Sequence, residues 1–307
     1  MAYKHKKKLI FSGSILFVLF FVLPSLAWEE PKTEYDFHFP DETVIGEARS
    51  VLYYGINTPP ELARNFNIGY LELAEANPGL KLLNRVRGKE IILPTSWILP
   101  DIMSEGILIN LAEMRLYFYQ ISKNEKPVVI TFPVGIGRVD YDTPKGNFTV
   151  KMKLKDPTWY PNGSSRIRNP ELPIEVPPGP DNPLGKYWIQ LSLDGYGLHG
   201  TNRPESIGKR TSLGCIRLFP ENIEWLFERV RAGMAVKIIN MPVKFGMKKG
   251  ELYVEVHRNG LTAEELEKEA LRIKEEMAYD GIDDDILRDA VNKGSGIPVP
   301  VAKKNYK

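Results

Sequence analysis

Cys215 is the only cysteine in 307 residues, and His199 is one of four histidines. A thiol must lose its proton to attack a carbonyl, and imidazole, titrating near neutral pH, is suited to take it. The sixteen-residue spacing leaves the fold to bring the two together. Gly200 and Gly214, each beside one candidate, permit close backbone approach and unusual dihedrals. A single cysteine cannot pair within the chain, so it is either buried and inert or kept for reactivity, and its Gly-Cys context favours reactivity. Metal binding by His199 and Cys215 would need two more ligands, and His38 and His257 lie in separate regions, so no metal and no cofactor is expected. Gly195-Tyr196-Gly197-Leu198-His199-Gly200 matches GxGxxG literally, but Thr201-Asn202-Arg203-Pro204 opens no helix, which excludes a dinucleotide site.

The N-terminus reads as an export signal. Lys4, His5, Lys6, Lys7 and Lys8 precede an apolar run from Leu9 to Leu23, and Ser25 and Ala27 supply the small residues of a cleavage site. Cleavage is expected after Ala27. At roughly 15 residues the run is short of the ~20 that span a bilayer, so no stable membrane span should remain and the mature protein should be exported. Removing 27 residues takes away four lysines and no acid, leaving 37 Lys+Arg against 39 Asp+Glu. That balance argues against nucleic acid as a partner.

The elements that must position the pair follow in order. Residues 28–42 are an acidic, Pro-containing linker without period. A βααβ unit spans 43–95: strand 51–54, a helix capped by Thr58 with Pro59 in its first turn, a second helix stopped by Asn77-Pro78-Gly79, and a closing strand 89–94. Residues 94–104 form a link. From 104 to 240 the chain is β-rich, with strands at 106–110, 115–120, 128–134, 147–154, 186–193 and 235–239, and one helix from about 220 to 231. Between Asp156 and Gly185 lies a loop of about 30 residues with eight prolines, expected to wall a substrate cleft. Residues 241–293 add a short connection, strand 251–256, a helix opened by the capping box Thr262-Ala263-Glu264-Glu265, and a helix from Asp284 to Asn292. The run Asp283-Asp284-Asp285 is an N-cap cluster rather than a calcium loop, and 294–307 is expected as a flexible tail. The fold class is mixed but mainly β: a β-sandwich or barrel-like sheet carrying one helix, with a small βααβ domain before it and a small α/β extension after it.

Two resemblances attach to these residues. Asn67-Ile68, Leu73, Ala76-Asn77-Pro78 and Gly88-Lys89-Glu90-Ile91-Ile92-Leu93-Pro94 resemble a LysM module, which implies binding to the glycan of peptidoglycan. Asp142-Thr143-Pro144-Lys145-Gly146-Asn147-Phe148, with His199-Gly200-Thr201-Asn202 and Ser212-Leu213-Gly214-Cys215-Ile216-Arg217-Leu218, resembles the YkuD-type L,D-transpeptidases. The family's usual Ser-His-Gly-Cys is Ser-Leu-Gly-Cys here, so Leu213 bears on substrate contacts or pKa tuning more than on the base, which the resemblance assigns to His199.

The resemblance implies that Cys215 attacks the diamino-acid carbonyl of a tetrapeptide stem and expels D-Ala, with His199 as general base and acid and the Gly200 carbonyl orienting its ring. It implies an oxyanion site made of the N–H groups of Leu213, Gly214 and Cys215, and substrate contacts at Arg217, Ser212 and Asn202. Arg217 has a loop-bracing ion pair as its alternative role, and Ser212 a loop-stabilising hydroxyl. The implied partners are peptidoglycan, stem peptide and glycan alike, and as acceptor either a second stem (a 3-3 cross-link) or a lipoprotein lysine. The alternatives are a hydrolase using water and a non-catalytic wall-binding protein.

Overall fold

A computed structural model describes residues 33–55, 57–79, 87–161, 163–277 and 281–301. The expected export signal, 1–27, lies outside them. No helix of the described residues is long and apolar enough to cross a membrane.

Nine of the described strands make one sheet, ordered 34–36, 127–133, 115–121, 106–110, 235–239, 146–155, 187–191, 197–199 and 216–217. Side chains alternate across a strand, and here both faces are covered. Ile107, Ile109, Leu116 and Phe118 face a core closed by Ile223 and Leu226 of the helix Pro220–Arg229. Leu108, Tyr117, Tyr119 and Val129 face the opposite way, onto Leu62, Ile68, Leu73, Ile91 and Trp97 of the N-terminal segment. Burial on both sides explains why Gly106–Asn110 and Arg115–Tyr119 read as nearly unbroken apolar runs.

The expected βααβ order is present: Arg49–Tyr54, Pro59–Asn65, Tyr70–Ala76 and Arg87–Leu93, with the outer strands paired antiparallel. Glu61 accepts from the Thr58 N–H at 2.6 Å, closing the first helix start. Asn77 ends the second helix, its amide donating to Leu73 O at 2.8 Å and Ile92 O at 2.7 Å. The C-terminal segment has its own core, in which Leu266 and Ala270 of the helix Ala263–Met277 and Leu287 and Val291 of the helix Asp284–Lys293 pack on Leu252 and Val254. Asp283 caps the last helix, accepting from the N–H groups of Asp285 and Ile286.

The three segments pack as one compact unit, joined by buried charge. Glu72 of the second helix and Arg115 of the sheet form an ion pair at 2.8 Å, with side chains 1% and 0% exposed. Trp97 Nε1 also donates to Glu72 at 2.5 Å, and the guanidinium lies over the Trp97 ring at 4.0 Å. Two residues from Arg115, Glu113 accepts from Lys244 Nζ at 2.8 Å; that ammonium also meets Glu255 at 2.9 Å. His257 bonds Glu255 at 2.6 Å and Glu75 of the N-terminal segment at 3.3 Å. Burial opposes charge on His257, but Glu255 and Glu75 outweigh it and raise its pKa to about 10. Its contribution to stability is therefore complete below the ordinary value near 6.5 and lost as pH rises through about 10.

Four expectations need correction. The supposed linker 28–42 contains Glu34–Asp36, an edge strand on Val128–Ile130, because Tyr35 and Phe37 turn into the core and their backbone completes the sheet edge. The link 94–104 contains Ser96–Ile98, paired to Val44–Gly46. The connection after Asn240 is a strand, Val243–Lys248, paired along its length with Glu251–Val256. In the supposed tail, Val299–Pro300 pairs with Tyr253–Val254 and Val301 is fully buried.

Removing Glu72 leaves a charged guanidinium in the core without its counter-ion. Glu72→Ala is expected to lower the unfolding free energy by about 3–5 kcal/mol in urea titration; a loss below about 1 kcal/mol, typical of an exposed pair, would contradict the assignment.

Candidate active site

The nucleophile candidate sits on a tight connection between short strands. Arg210–Ser212 pairs in parallel with Ile136–Gly137, and Ile216–Arg217 in parallel with Leu198–His199. Leu198 stands opposite Ile216 and His199 opposite Arg217, so Cys215 immediately precedes the strand beside His199. The Leu218 N–H donates to His199 O at 2.9 Å and the Arg217 N–H to Gly135 O at 2.8 Å, fixing that strand on two sides. Gly214 has φ +106°, and a Cβ there would fall 2.6 Å from the Tyr196 ring, so glycine is required.

Ser212 is 2% exposed, and its hydroxyl donates to Cys215 O at 2.5 Å and accepts from the Gly214 N–H at 3.1 Å. These bonds make it a brace of the loop, the second of the two roles expected for it. The same contact engages the Gly214 N–H, one of the three expected oxyanion donors, within the loop.

His199 is 4% exposed and tilted at 32° on Trp188, centroids 5.8 Å apart. Its Nδ1 lies 2.6 Å from Gly200 O. A carbonyl only accepts, so Nδ1 carries the proton and Nε2 keeps its lone pair. Burial and then the Arg217 charge push the imidazole pKa down to about 3, against the smaller pull of the Gly200 carbonyl. Burial also raises the Cys215 thiol, opposed by the Gly197 backbone and the Arg217 charge. The half-buried thiol points its Sγ at Gly195 O, 3.5 Å away. Burial thus favours a neutral thiol and a neutral imidazole over the expected thiolate pair.

A cavity of about 600 Å³ adjoins the pair. Neither Cys215 nor His199 lines it, but their neighbours Leu213, Arg217, Thr201 and Asn202 do. The proline-rich loop supplies one wall through Trp159, Leu172, Pro173 and Val176. That loop is more ordered than its sequence suggests: it contains the helix Gly163–Arg168, Trp159 bridges to Val176, and buried Asn182 donates to Pro157 O at 2.8 Å and Val176 O at 3.0 Å. Asn202, expected to touch substrate, lines the cavity and also donates to Asp181 O at 3.0 Å, tying the loop to the sheet. Arg217 reaches Thr211 Oγ1 at 3.2 Å at the cavity wall. Sequence reading missed Lys209 and Arg203, which also line the cavity; neither belongs to a chemically distinctive spacing. A second cavity of about 770 Å³ lies across Gly200, Thr201 and Asn202, against Tyr187, Glu221 and Glu224.

Glu113, Glu255 and His257 bring ligand-type atoms within 4.8 Å of one another. The Lys244 ammonium, 2.8 Å from Glu113 and 2.9 Å from Glu255, already supplies the cation between those carboxylates. The cluster is accounted for as an ion-pair network.

Residues 104–238 match the L,D-transpeptidase catalytic domain, YkuD. The likeness extends well beyond that domain. The probable L,D-transpeptidase YbiS of Escherichia coli is 38% identical over 274 residues, covering 83% of this chain and 88% of that protein. The probable L,D-transpeptidase ErfK/SrfK of Salmonella typhimurium is 35% identical over 275 residues, covering 84% and 88%. The probable L,D-transpeptidase YcfS of Escherichia coli is 38% identical over 257 residues, covering 79% of each. The chain belongs to the L,D-transpeptidase family and is an enzyme of that class.

A neutral pair has a distinct pH signature. Alkylation of Cys215 by iodoacetamide should rise as a single step with its midpoint above the ~8.5 of a free thiol, because the raised thiol ionises late and the imidazole, already neutral above about 3, adds no inflection. A reactive plateau from pH 5 to 8, as a thiolate–imidazolium pair would give, would contradict the geometry.

Proposed function

We propose that this enzyme transfers the acyl group of a peptidoglycan stem tetrapeptide through a thioester on Cys215. The observation that carries this is the Nδ1–H of His199 fixed on the Gly200 carbonyl, with His199 on the strand alongside the one that the lone cysteine immediately precedes. With Nδ1 so held, Nε2 is free to take the thiol proton. As it does, Sγ bonds to the carbonyl carbon of the diamino-acid residue, and the π pair moves to oxygen under the N–H groups of Leu213 and Cys215. The tetrahedral adduct collapses, its C–N bond to D-Ala breaks, and His199 returns the proton to the leaving amine. The acceptor amine reverses the sequence: His199 takes its proton, nitrogen bonds to the thioester carbon and Cys215 leaves as thiol.

The acceptor is a second stem, giving a 3-3 cross-link, or the lysine of an envelope lipoprotein. The cavity wall carries Arg203, Lys209 and Arg217, suited to the carboxylates of a stem peptide. Residues 43–95 act as a LysM-type glycan-binding module, docked rigidly so that a bound glycan presents its stem to the cleft. Export by residues 1–27 places the enzyme in the periplasm, where this substrate lies.

Cys215→Ala should release no D-Ala from a disaccharide-tetrapeptide, and His199→Ala should slow release by about 10²–10⁴-fold. Mass spectrometry with an added lysine-ended peptide or a second stem reads the product. A joined product supports transfer, tripeptide alone would replace it with hydrolysis, and undiminished turnover by Cys215→Ala would refute the thioester.

A further inference from the structure

Thr143 lies outside the Cys-His pair and has a chemically specific place beside it. It is 4% exposed, in the connection between Val139–Tyr141 and the strand Gly146–Lys155. Its Oγ1 accepts from the Gly137 N–H at 2.9 Å. The hydroxyl's one proton goes to Gly214 O at 3.0 Å. The turn bringing it there is sterically enforced, for a Cβ on Gly137 would fall 2.1 Å from Tyr141 O and 2.7 Å from Thr143 N. Thr143 therefore links two backbone segments distant in sequence, one of which ends at the nucleophile.

The consequence follows from peptide planarity. The Gly214–Cys215 bond is trans, Phe39–Pro40 being the one cis bond among the described residues. In a trans peptide, C=O and N–H point in opposite directions. Holding the Gly214 carbonyl against Thr143 thus turns the Cys215 N–H the opposite way. Ser212 fixes the groups on either side, the Gly214 N–H and the Cys215 carbonyl, so this peptide plane cannot turn without breaking the loop's hydrogen bonds. Of the four groups so arranged, the Cys215 N–H alone is not spent on the brace.

Building on the acyl-enzyme chemistry proposed above, we infer that Thr143 is a positioning residue that aims the Cys215 N–H at the oxyanion. Its hydroxyl contributes through the direction of one backbone donor and touches no substrate atom. Its β-branch restricts χ1 and keeps the hydroxyl in register with both partners.

The test compares two reactions of the same thiol in the full chain, in Thr143→Val and in Thr143→Ser. Acylation by faropenem builds negative charge on a carbonyl oxygen, whereas alkylation by iodoacetamide is a direct displacement that forms no oxyanion. Thr143→Val should acylate about 10²-fold more slowly yet alkylate within about twofold of the unchanged chain, because misaiming a donor penalises only the step that uses it. Thr143→Ser should keep most of the acylation rate. If the valine chain does not fold by circular dichroism, Thr143→Ala, whose smaller side chain admits a bridging water, carries the same comparison. An equal fall in both reactions, or no fall in acylation, would overturn the assignment. An unchanged chain that is alkylated but neither acylated nor able to release D-Ala would instead overturn the acyl-enzyme chemistry itself.

Discussion

Charge buried where the three segments meet governs this structure. Glu113 and Arg115 flank Met114 on a turn between two central strands, and each faces a different neighbour: Arg115 meets Glu72 of the N-terminal segment, and Glu113 meets Lys244 of the C-terminal one. His257 then closes the circuit to Glu75. Removing ions from water is costly, and a buried pair recovers that cost only when every partner is in place. Apolar surfaces tolerate sliding, whereas these groups accept a single docking. The network therefore sets the position of the segments rather than adding a large net stability.

Position passes from there to the chemistry through backbone contacts. Asn67, beside the Glu72–Arg115 pair, donates to Thr131 O at 3.1 Å and accepts from Asn222, in the first turn of the helix Pro220–Arg229, at 2.8 Å. Gly208 lies so close to the second N-terminal helix that a Cβ would fall 2.4 Å from Tyr70 N. From Gly208 the chain runs within seven residues to Cys215, and Lys209, over the Tyr70 ring at 5.0 Å, lines the cavity. The N-terminal segment is thus a support for the nucleophile loop.

The candidate pair was legible in the sequence, because a lone cysteine and a Gly-flanked histidine are rare residue types with few structural uses. Long strands and amphipathic helices were also legible, since their periods depend on local spacing. The two- and three-residue strands around the site, 136–137, 197–199, 210–212 and 216–217, carry no period and exist only because partners arrive from elsewhere in the chain. Glu72, Glu113, Lys244 and His257 look like ordinary surface residues in sequence, and nothing local signals that each has a buried partner more than 40 residues away. The Gly214 N–H was assigned to the oxyanion by analogy, but Ser212 two residues earlier competes for it. Tyr35 and Phe37 were masked by their acidic, Pro-containing surroundings.

Native-state hydrogen exchange across low urea concentrations tests most directly whether buried charge makes one cooperative body that holds the site. The account predicts that amides of Leu73, Ile109 and Val254, one in each segment, open with the same free energy and merge into global unfolding. A separate, lower-energy opening of the helix around Leu73 or the strand around Val254, with Ile109 still protected, would contradict it.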